Sequence, residues 1–132
     1  MNLQFNVITP DRIFLNAQAD EIILTTNTGQ MGVLPGHAPL ITALDIGAFF
    51  YKYKSEKIWT SVALMGGFAL ILQDNITILV NEAESANTID LQEALQSFES
   101  AQQQFLQAIN LKQKVSANFA LKKARARIKV LT

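Results

Sequence analysis

The sequence has no cysteine and a single histidine, His37, among its 132 residues. Without cysteine there is no disulfide, no thiolate nucleophile and no cysteine-ligated metal, and the redox compartment leaves no mark. One histidine excludes metal sites that need two imidazoles, such as His-Glu-x-x-His. Long apolar runs are also missing. The longest, Val62 to Leu72, has eleven residues, whereas a membrane-spanning helix needs about 20. The N-terminal stretch Met1 to Val7 alternates polar and apolar residues and lacks the basic region and apolar block of a signal peptide. The expectation is a soluble or membrane-peripheral protein without a transit segment, made in the organelle if it works in one. Glycine and proline are absent from half of the chain: all six glycines and all three prolines lie at or before Gly67.

Net charge is missing too, but only on average. Eleven Lys and Arg balance eleven Asp and Glu, and the isoelectric point is near 6.6. That balance excludes a generic basic nucleic-acid binder and a strongly acidic tail protein. The 49% of apolar residues is enough for a packed core and far from the disordered range. Within residues 1–86, Arg12, Lys52, Lys54 and Lys57 face eight acids, a net −4. Within residues 87–132, seven bases face Asp90, Glu93 and Glu99, a net +4. An acidic part is therefore joined to a basic part, with a boundary near Ala86.

Residues 1–86 read as β structure. Leu3, Phe5 and Val7 share one face of a strand that starts at the N-terminus. Glu21 to Thr26 is a β-branched run ending in the turn-prone Asn27-Thr28-Gly29. Ile46 to Lys54 and Lys57 to Leu64 flank a polar turn at Ser55-Glu56. Phe68 to Leu72 and Ile76 to Val80 flank Gln73-Asp74-Asn75, a second hairpin signal. Short strands at this spacing, partly buried on both faces, indicate a sandwich or barrel.

Residues 87–132 read as helix. Thr88 or Asp90 is placed to cap it, and Asp90 and Glu93 suit the positive end of its dipole. Leu91, Leu95, Phe98, Phe105 and Ile109 form one apolar stripe, with Gln102 in its middle. Ala117, Leu121, Ala124, Ile128 and Leu131 form another, at spacings that let two helices zip together. Between them Asn110 to Ser116 is polar without glycine or proline. A weakly enforced turn is expected there, compatible with either a hairpin or a longer opened helix.

Few residues invite chemistry. Gly29 to Pro39 is rich in glycine, but no lysine follows, two prolines remove amides, and no helix begins after it. That argues against a phosphate loop and for a shaped turn between strands, available as a recognition surface. His37 has no nucleophile elbow or second imidazole to work with, so an ordinary hydrogen-bonding role is expected. Asp90 and Glu93 share a spacing that oxygen-ligated metals use, yet no Glu-x-x-His pair completes a site. No metal and no cofactor are expected. Lys122, Lys123, Arg125, Arg127 and Lys129 follow one another with no acid after Glu99. They are either a solvated helix face or a surface for an acidic partner. Aromatic residues do not interleave with them, which favours an acidic protein over nucleic acid.

These pieces together resemble the epsilon-subunit family of F-type ATP synthases over essentially the whole chain. The resemblance rests on Gly29 to Leu40, Ser61 to Ala69 and Ala120 to Arg127. Trp59 to Ala63 and Ile89-Asp90-x-x-Glu93-Ala94 are similar to the plastid and cyanobacterial branch. It implies an α+β protein: a flattened antiparallel β-sandwich over 1–86 followed by an antiparallel two-helix hairpin over 87–132. It also implies a non-catalytic rotor subunit that couples the gamma subunit to the c-ring and is peripheral to the thylakoid membrane through the complex. In a plastid it would lie on the stromal side, in a cyanobacterium on the cytoplasmic side. By position in the motif, Gln30 and Met31 would contact the c-ring, although many relatives carry an acid where Gln30 stands. Gly36 and His37 would lie in the loop that docks on the rotor. The hairpin would extend toward the catalytic head, made of beta and alpha subunits, and inhibit ATP hydrolysis. Lys122, Lys123, Arg125, Arg127 and Lys129 would then meet an acidic segment of the beta subunit, an attraction that salt should weaken. Some bacterial members bind ATP through Ile/Leu-Asp-x-x-Arg-Ala. Here Glu93 replaces the arginine and would repel phosphate, so no nucleotide site is implied. The competing readings are a small RNA-associated protein that binds through its basic helix, and a stand-alone enzyme with His37 as base.

Overall fold

The computed structural model describes residues 2–53 and 55–132. A first strand starting at Met1, and the reach of a later strand to Lys54, lie outside the described residues. Eight strands come first: β1 (Leu3–Thr9), β2 (Arg12–Ala19), β3 (Glu21–Thr26), β4 (Gly29–Val33), β5 (Leu40–Lys52), β6 (Thr60–Leu72), β7 (Asn75–Val80) and β8 (Ala83–Ser85). A 3-10 turn at Ala86–Thr88 leads into α1 (Leu91–Gln107) and α2 (Leu111–Leu131). The strands run in the order β2-β1-β7-β6-β5-β3-β4, with β8 paired to β6. Every pairing is antiparallel except that of β1 with β7, which is parallel.

The alternation in β1 does what its period requires. Leu3, Phe5 and Val7 are fully buried, while Gln4, Asn6 and Ile8 between them are only partly covered. Phe5 meets Phe49 edge-on at 5.4 Å between ring centroids and Tyr51 at 4.8 Å. Those two rings belong to β5, which is not a neighbour of β1 in the sheet. The sheet therefore folds back on itself as a flattened sandwich, and Ile22, Leu24, Val33, Ile71, Ile76 and Ile78 fill its interior. Complete burial of each large apolar side chain stabilises by about 1.5–3 kcal/mol.

Strand β6 turns the corner at Gly66-Gly67. Before the glycines it pairs with β8, after them with β7. Gly66 has φ +82° and Gly67 φ +156°, and a Cβ on Gly67 would collide with the Leu79 carbonyl. The Gln73-Asp74 hairpin is a tight two-residue turn with both residues at positive φ, 50° and 64°, as the type that matches strand twist demands.

Three sequence expectations are corrected. Gly29 to Val33 is not loop but the edge strand β4; only Leu34 to Pro39 turns. The break between helices falls at Ala108 to Asn110, not over Asn110 to Ser116. It is locally fixed: Asn110 Oδ1 accepts the Gln113 N–H at 2.8 Å, and Gln113 Oε1 accepts the Ile109 N–H at 3.0 Å, a reciprocal cap. Finally, the stripe of α1 is not its buried face. Leu91, Leu95, Phe105 and Ile109 are exposed, and Ala94 and Ala101 are buried instead. The α2 stripe fares better, with Ala117 and Ala124 buried and Leu121, Ile128 and Leu131 half-buried. Asp90, not Thr88, caps α1 by accepting the Gln92 N–H at 2.9 Å.

Candidate functional site

The glycine-rich segment splits into two places. On β4, Gln30 pairs with Thr25 and Met31 with Leu24. Successive strand residues point to opposite faces, so Gln30 is exposed while Met31 packs against the main core. The pair therefore does not present one common surface. Beyond β4 the chain reverses at Leu34-Pro35-Gly36-His37, where the His37 N–H reaches the Leu34 carbonyl at 3.2 Å. Proline at the second position and Gly36 at φ +87° in the third are what a type II turn selects. The turn is held from outside: Asp74 accepts the Gly36 N–H at 2.7 Å. His37 Nδ1 lies 2.7 Å from the Ala38 carbonyl oxygen. A carbonyl only accepts, so Nδ1 carries the proton and donates, the ordinary role expected from sequence.

Sequence reasoning missed the surface beside that turn. Ile41, Phe68, Leu70, Leu72 and Leu79 are exposed by 41–71%. Cross-strand register sets Ile41 opposite Leu70 and Phe68 opposite Leu79, so all five share one sheet face. Their neighbours Ala69, Ile71, Ile76 and Ile78 are buried on the other. The signal was present in the unbroken apolar run Val62 to Leu72, which is covered on both faces over Val62 to Met65 but on only one over Phe68 to Leu72. Contiguous exposed apolar surface of this kind marks interaction sites.

The basic helix lies against the acidic sandwich of its own chain. Ala126 and Val130 of α2 join Ile89, Ala94, Ala48, Ala63 and Met65 in a second apolar cluster, and Ser61 donates to the Val130 carbonyl at 2.9 Å. Around this seam, Lys122 pairs with Asp45 at 3.2 Å and Lys123 with Glu82 at 3.0 Å. Arg127 pairs with Glu84 at 3.1 Å and Glu93 at 3.6 Å. Its side chain is only 11% exposed, and it is the buried charge of the interface. Glu93 is thus a partner of Arg127, not only of the helix dipole. Arg125 and Lys129 are exposed and have no acidic partner among the described residues. No cluster of His, Asp and Glu fit to hold a metal is present among the described residues. The RNA-associated reading loses its footing here, because three of the five cations are already paired with acids of their own chain.

The model of the ATP synthase delta/epsilon chain β-sandwich domain matches residues 2–86, and that of the long α-helix domain of the same chains matches residues 87–132. A protein named ATP synthase epsilon chain, chloroplastic, from Oltmannsiellopsis viridis is 62% identical over 131 residues, covering 99% of this chain and 98% of the relative. One of the same name from Tupiella akineta is 57% identical over the full length of both chains. Among solved structures, a chain of the Euglena gracilis mitochondrial ATP synthase, in an assembly of OSCP, F1 and c-ring, superposes with TM-score 0.87 at 23% identity. It covers 99% of this chain and 82% of that one. At that identity the likeness concerns the fold. With its sandwich and its helical hairpin both matched, the chain belongs to the delta/epsilon chain family of ATP synthase.

Proposed function

We propose that the chain is a non-catalytic central-stalk subunit of a plastid F-type ATP synthase, coupling gamma to the c-ring and restraining ATP hydrolysis through its helices. Family membership supplies the assembly, and the names of its relatives supply the plastid. The observation that carries the docking role is the exposed apolar sheet face of Ile41, Phe68, Leu70, Leu72 and Leu79, which ends beside the braced Gly36-His37 turn. A face of this kind has the chemistry of a permanent protein contact. We assign it and that turn to gamma, and the exposed Gln30 to the c-ring. In this reading residues 1–86 dock, residues 87–132 regulate, and the subunit sits on the stromal side of the thylakoid membrane.

The hairpin restrains hydrolysis when its basic residues leave the sandwich for an acidic segment of the beta subunit. Two states of this kind need free energies within a few kcal/mol of each other. The alanine seam and the partly exposed ion pairs give such a modest hold. The test is reconstitution of the complex with Phe68→Asp and Ile41→Asp together, and separately with a chain ending at Ile109. The first should lose co-purification with gamma; the second should keep it and hydrolyse ATP faster. Retained gamma in the first case overturns the docking face, and unchanged hydrolysis in the second overturns the restraint.

A further inference from the structure

The far end of the hairpin carries apolar side chains that the described residues leave uncovered. Leu111, Val115 and Phe119 are spaced four apart and continue the helical face that carries Ala126 and Val130. The lower half of that face is seated on Ala48, Ala63 and Met65. The upper half is not: of residues 111–119 only Ala117 is buried, and the three large side chains are exposed by 51–78%. Leu106 and Ile109, at the end of α1 and in the link between the helices, are exposed by 73% and 86%. Lys122 is the first residue of α2 to pair with the sandwich, and Leu111 stands about 16 Å beyond it at the helical rise. Lys112 and Lys114 flank the apolar stripe on opposite sides, and neither is in an ion pair among the described residues. No acid follows Glu99 in the sequence. At the same end a groove of about 580 Å³ opens between the helices, walled by Gln104, Gln107, Asn110, Lys112, Gln113 and Ser116. It offers hydrogen-bond donors and one cation, and no carboxylate.

We propose that the end of the hairpin is a docking site for an anionic lipid surface, used by the free chain while its hairpin lies on the sandwich. Leu106, Ile109 and Leu111 enter the headgroup region, Val115 and Phe119 follow along the stripe, and Lys112 and Lys114 meet the anionic headgroups. The groove between the helices takes one of those headgroups. Shape favours lipid over protein: these side chains project from a convex end, which a rigid partner covers only with a matching hollow, whereas a bilayer interface yields around them. A helix with an exposed apolar stripe and flanking lysines has the composition of interfacial binding, and lysine stems reach along apolar surface to place their charge at the headgroups. Charge then decides between the two apolar surfaces of the molecule. The sheet face of Ile41, Phe68 and Leu70 belongs to the part with net −4, which an anionic surface repels, and the hairpin to the part with net +4. Such a contact keeps a newly made chain at the membrane until its partners arrive. It does not rest on the inhibitory reading of the helices.

The test is co-sedimentation of the full chain with vesicles of equal parts phosphatidylglycerol and phosphatidylcholine, beside vesicles of phosphatidylcholine alone. The chain should partition onto the anionic vesicles about tenfold more strongly or better, and hydrogen exchange on them should slow over residues 105–119. Ile109→Ser with Leu111→Ser should weaken partitioning about tenfold or more. Lys112→Gln with Lys114→Gln should weaken it by about the same factor, as loss of two cations at an anionic surface does. Both pairs alter exposed side chains, so the fold stays intact, and because they remove different chemistry either one decides. Ile41→Ser with Phe68→Ser, on the sheet face, should change partitioning by less than about twofold. Equal binding to the two kinds of vesicle, or no binding to either, overturns the proposal. So does a loss confined to the sheet-face variant, which would make that face the lipid surface. Hairpin-end variants that bind vesicles as well as the unaltered chain, yet fail to enter the assembled complex, would give the stripe to a protein partner and overturn it as well.

Discussion

The carboxylate of Asp74 accepts the backbone N–H of Gly36 at 2.7 Å, joining two turns that are 38 residues apart. Asp74 meets two demands at once, since it also sits at φ +64°, a conformation that Asn and Asp tolerate better than other side chains. Asp74→Asn keeps both the acceptor and the tolerance and should be nearly neutral. Asp74→Ala loses both and should cost about 1–2 kcal/mol. Urea midpoints check the stability, and faster hydrogen exchange at the Gly36 amide checks the cause. An Ala variant as stable as the Asn variant would refute it.

Gly67 is the least replaceable residue of the corner in β6. A Cβ there would overlap the Leu79 carbonyl oxygen and crowd the Val80 Cα, both backbone atoms of the paired strand β7. Gly67→Ala should destabilise by about 3 kcal/mol or more. Gly32→Ala meets no atom within 4 Å and has an ordinary φ, so it should change stability by less than about 0.5 kcal/mol. Thermal melts of the two variants make the comparison.

Arg127 carries more of the hairpin's docking energy than the lysines do. Lys122 and Lys123 are about a third exposed, with partners 31% and 50% exposed, and pairs of that kind contribute about 0–1 kcal/mol. Arg127 is buried, so Arg127→Ala leaves Glu84 short of its partner and should weaken docking by about 1–3 kcal/mol. Exchange of the α2 amides should quicken accordingly, and Lys122→Ala should move it far less. Exchanging the charges, Arg127→Glu with Glu84→Arg, should recover part of the loss; equal effects of Arg127→Ala and Lys122→Ala would contradict this ranking.

Tyr51 predicts a loss of stability in alkali. Burial between Phe5 and Phe49 pushes its hydroxyl above the ordinary value of 10.0, with Glu56 adding in the same direction and a hydrogen bond to Thr60 opposing. The fold thus prefers the neutral phenol. Its contribution is intact below the unfolded-state value and declines as pH rises through that value toward the folded one. Tyr51→Phe should flatten the decline. Tyrosinate absorbance followed together with unfolding would show it, and an unchanged alkaline slope in the variant would count against it.

Much of this was legible in the residues, and the failures share a cause. The hairpin at Gln73-Asp74, the buried face of β1 and the charge division all follow from local pattern. Strand β2 escaped notice because Ile13, Phe14 and Leu15 run together without alternation, next to a bulge between Val7 and Ile8. The α1 face was misjudged because size stood in for burial. Leu91, Leu95, Phe105 and Ile109 are the larger side chains, but the helices come together through Ala94, Ala101, Ala117 and Ala124, and small residues permit closer approach. The acidic partners of Lys122, Lys123 and Arg127 could not be read from sequence at all. Asp45, Glu82 and Glu84 are 77, 41 and 43 residues away, and only the fold brings them near.

The parallel pairing of β1 with β7 also governs how the chain is made. Strand β1 lies between β2 and β7, so one of its edges stays open until residues 75–80 emerge. Contacts of such long sequence separation slow folding and leave strand edges exposed meanwhile. The charged hairpin follows directly behind. A nascent chain stalled before Val80 would therefore hold Leu3, Phe5 and Val7 uncovered, and would be the species most in need of a chaperone.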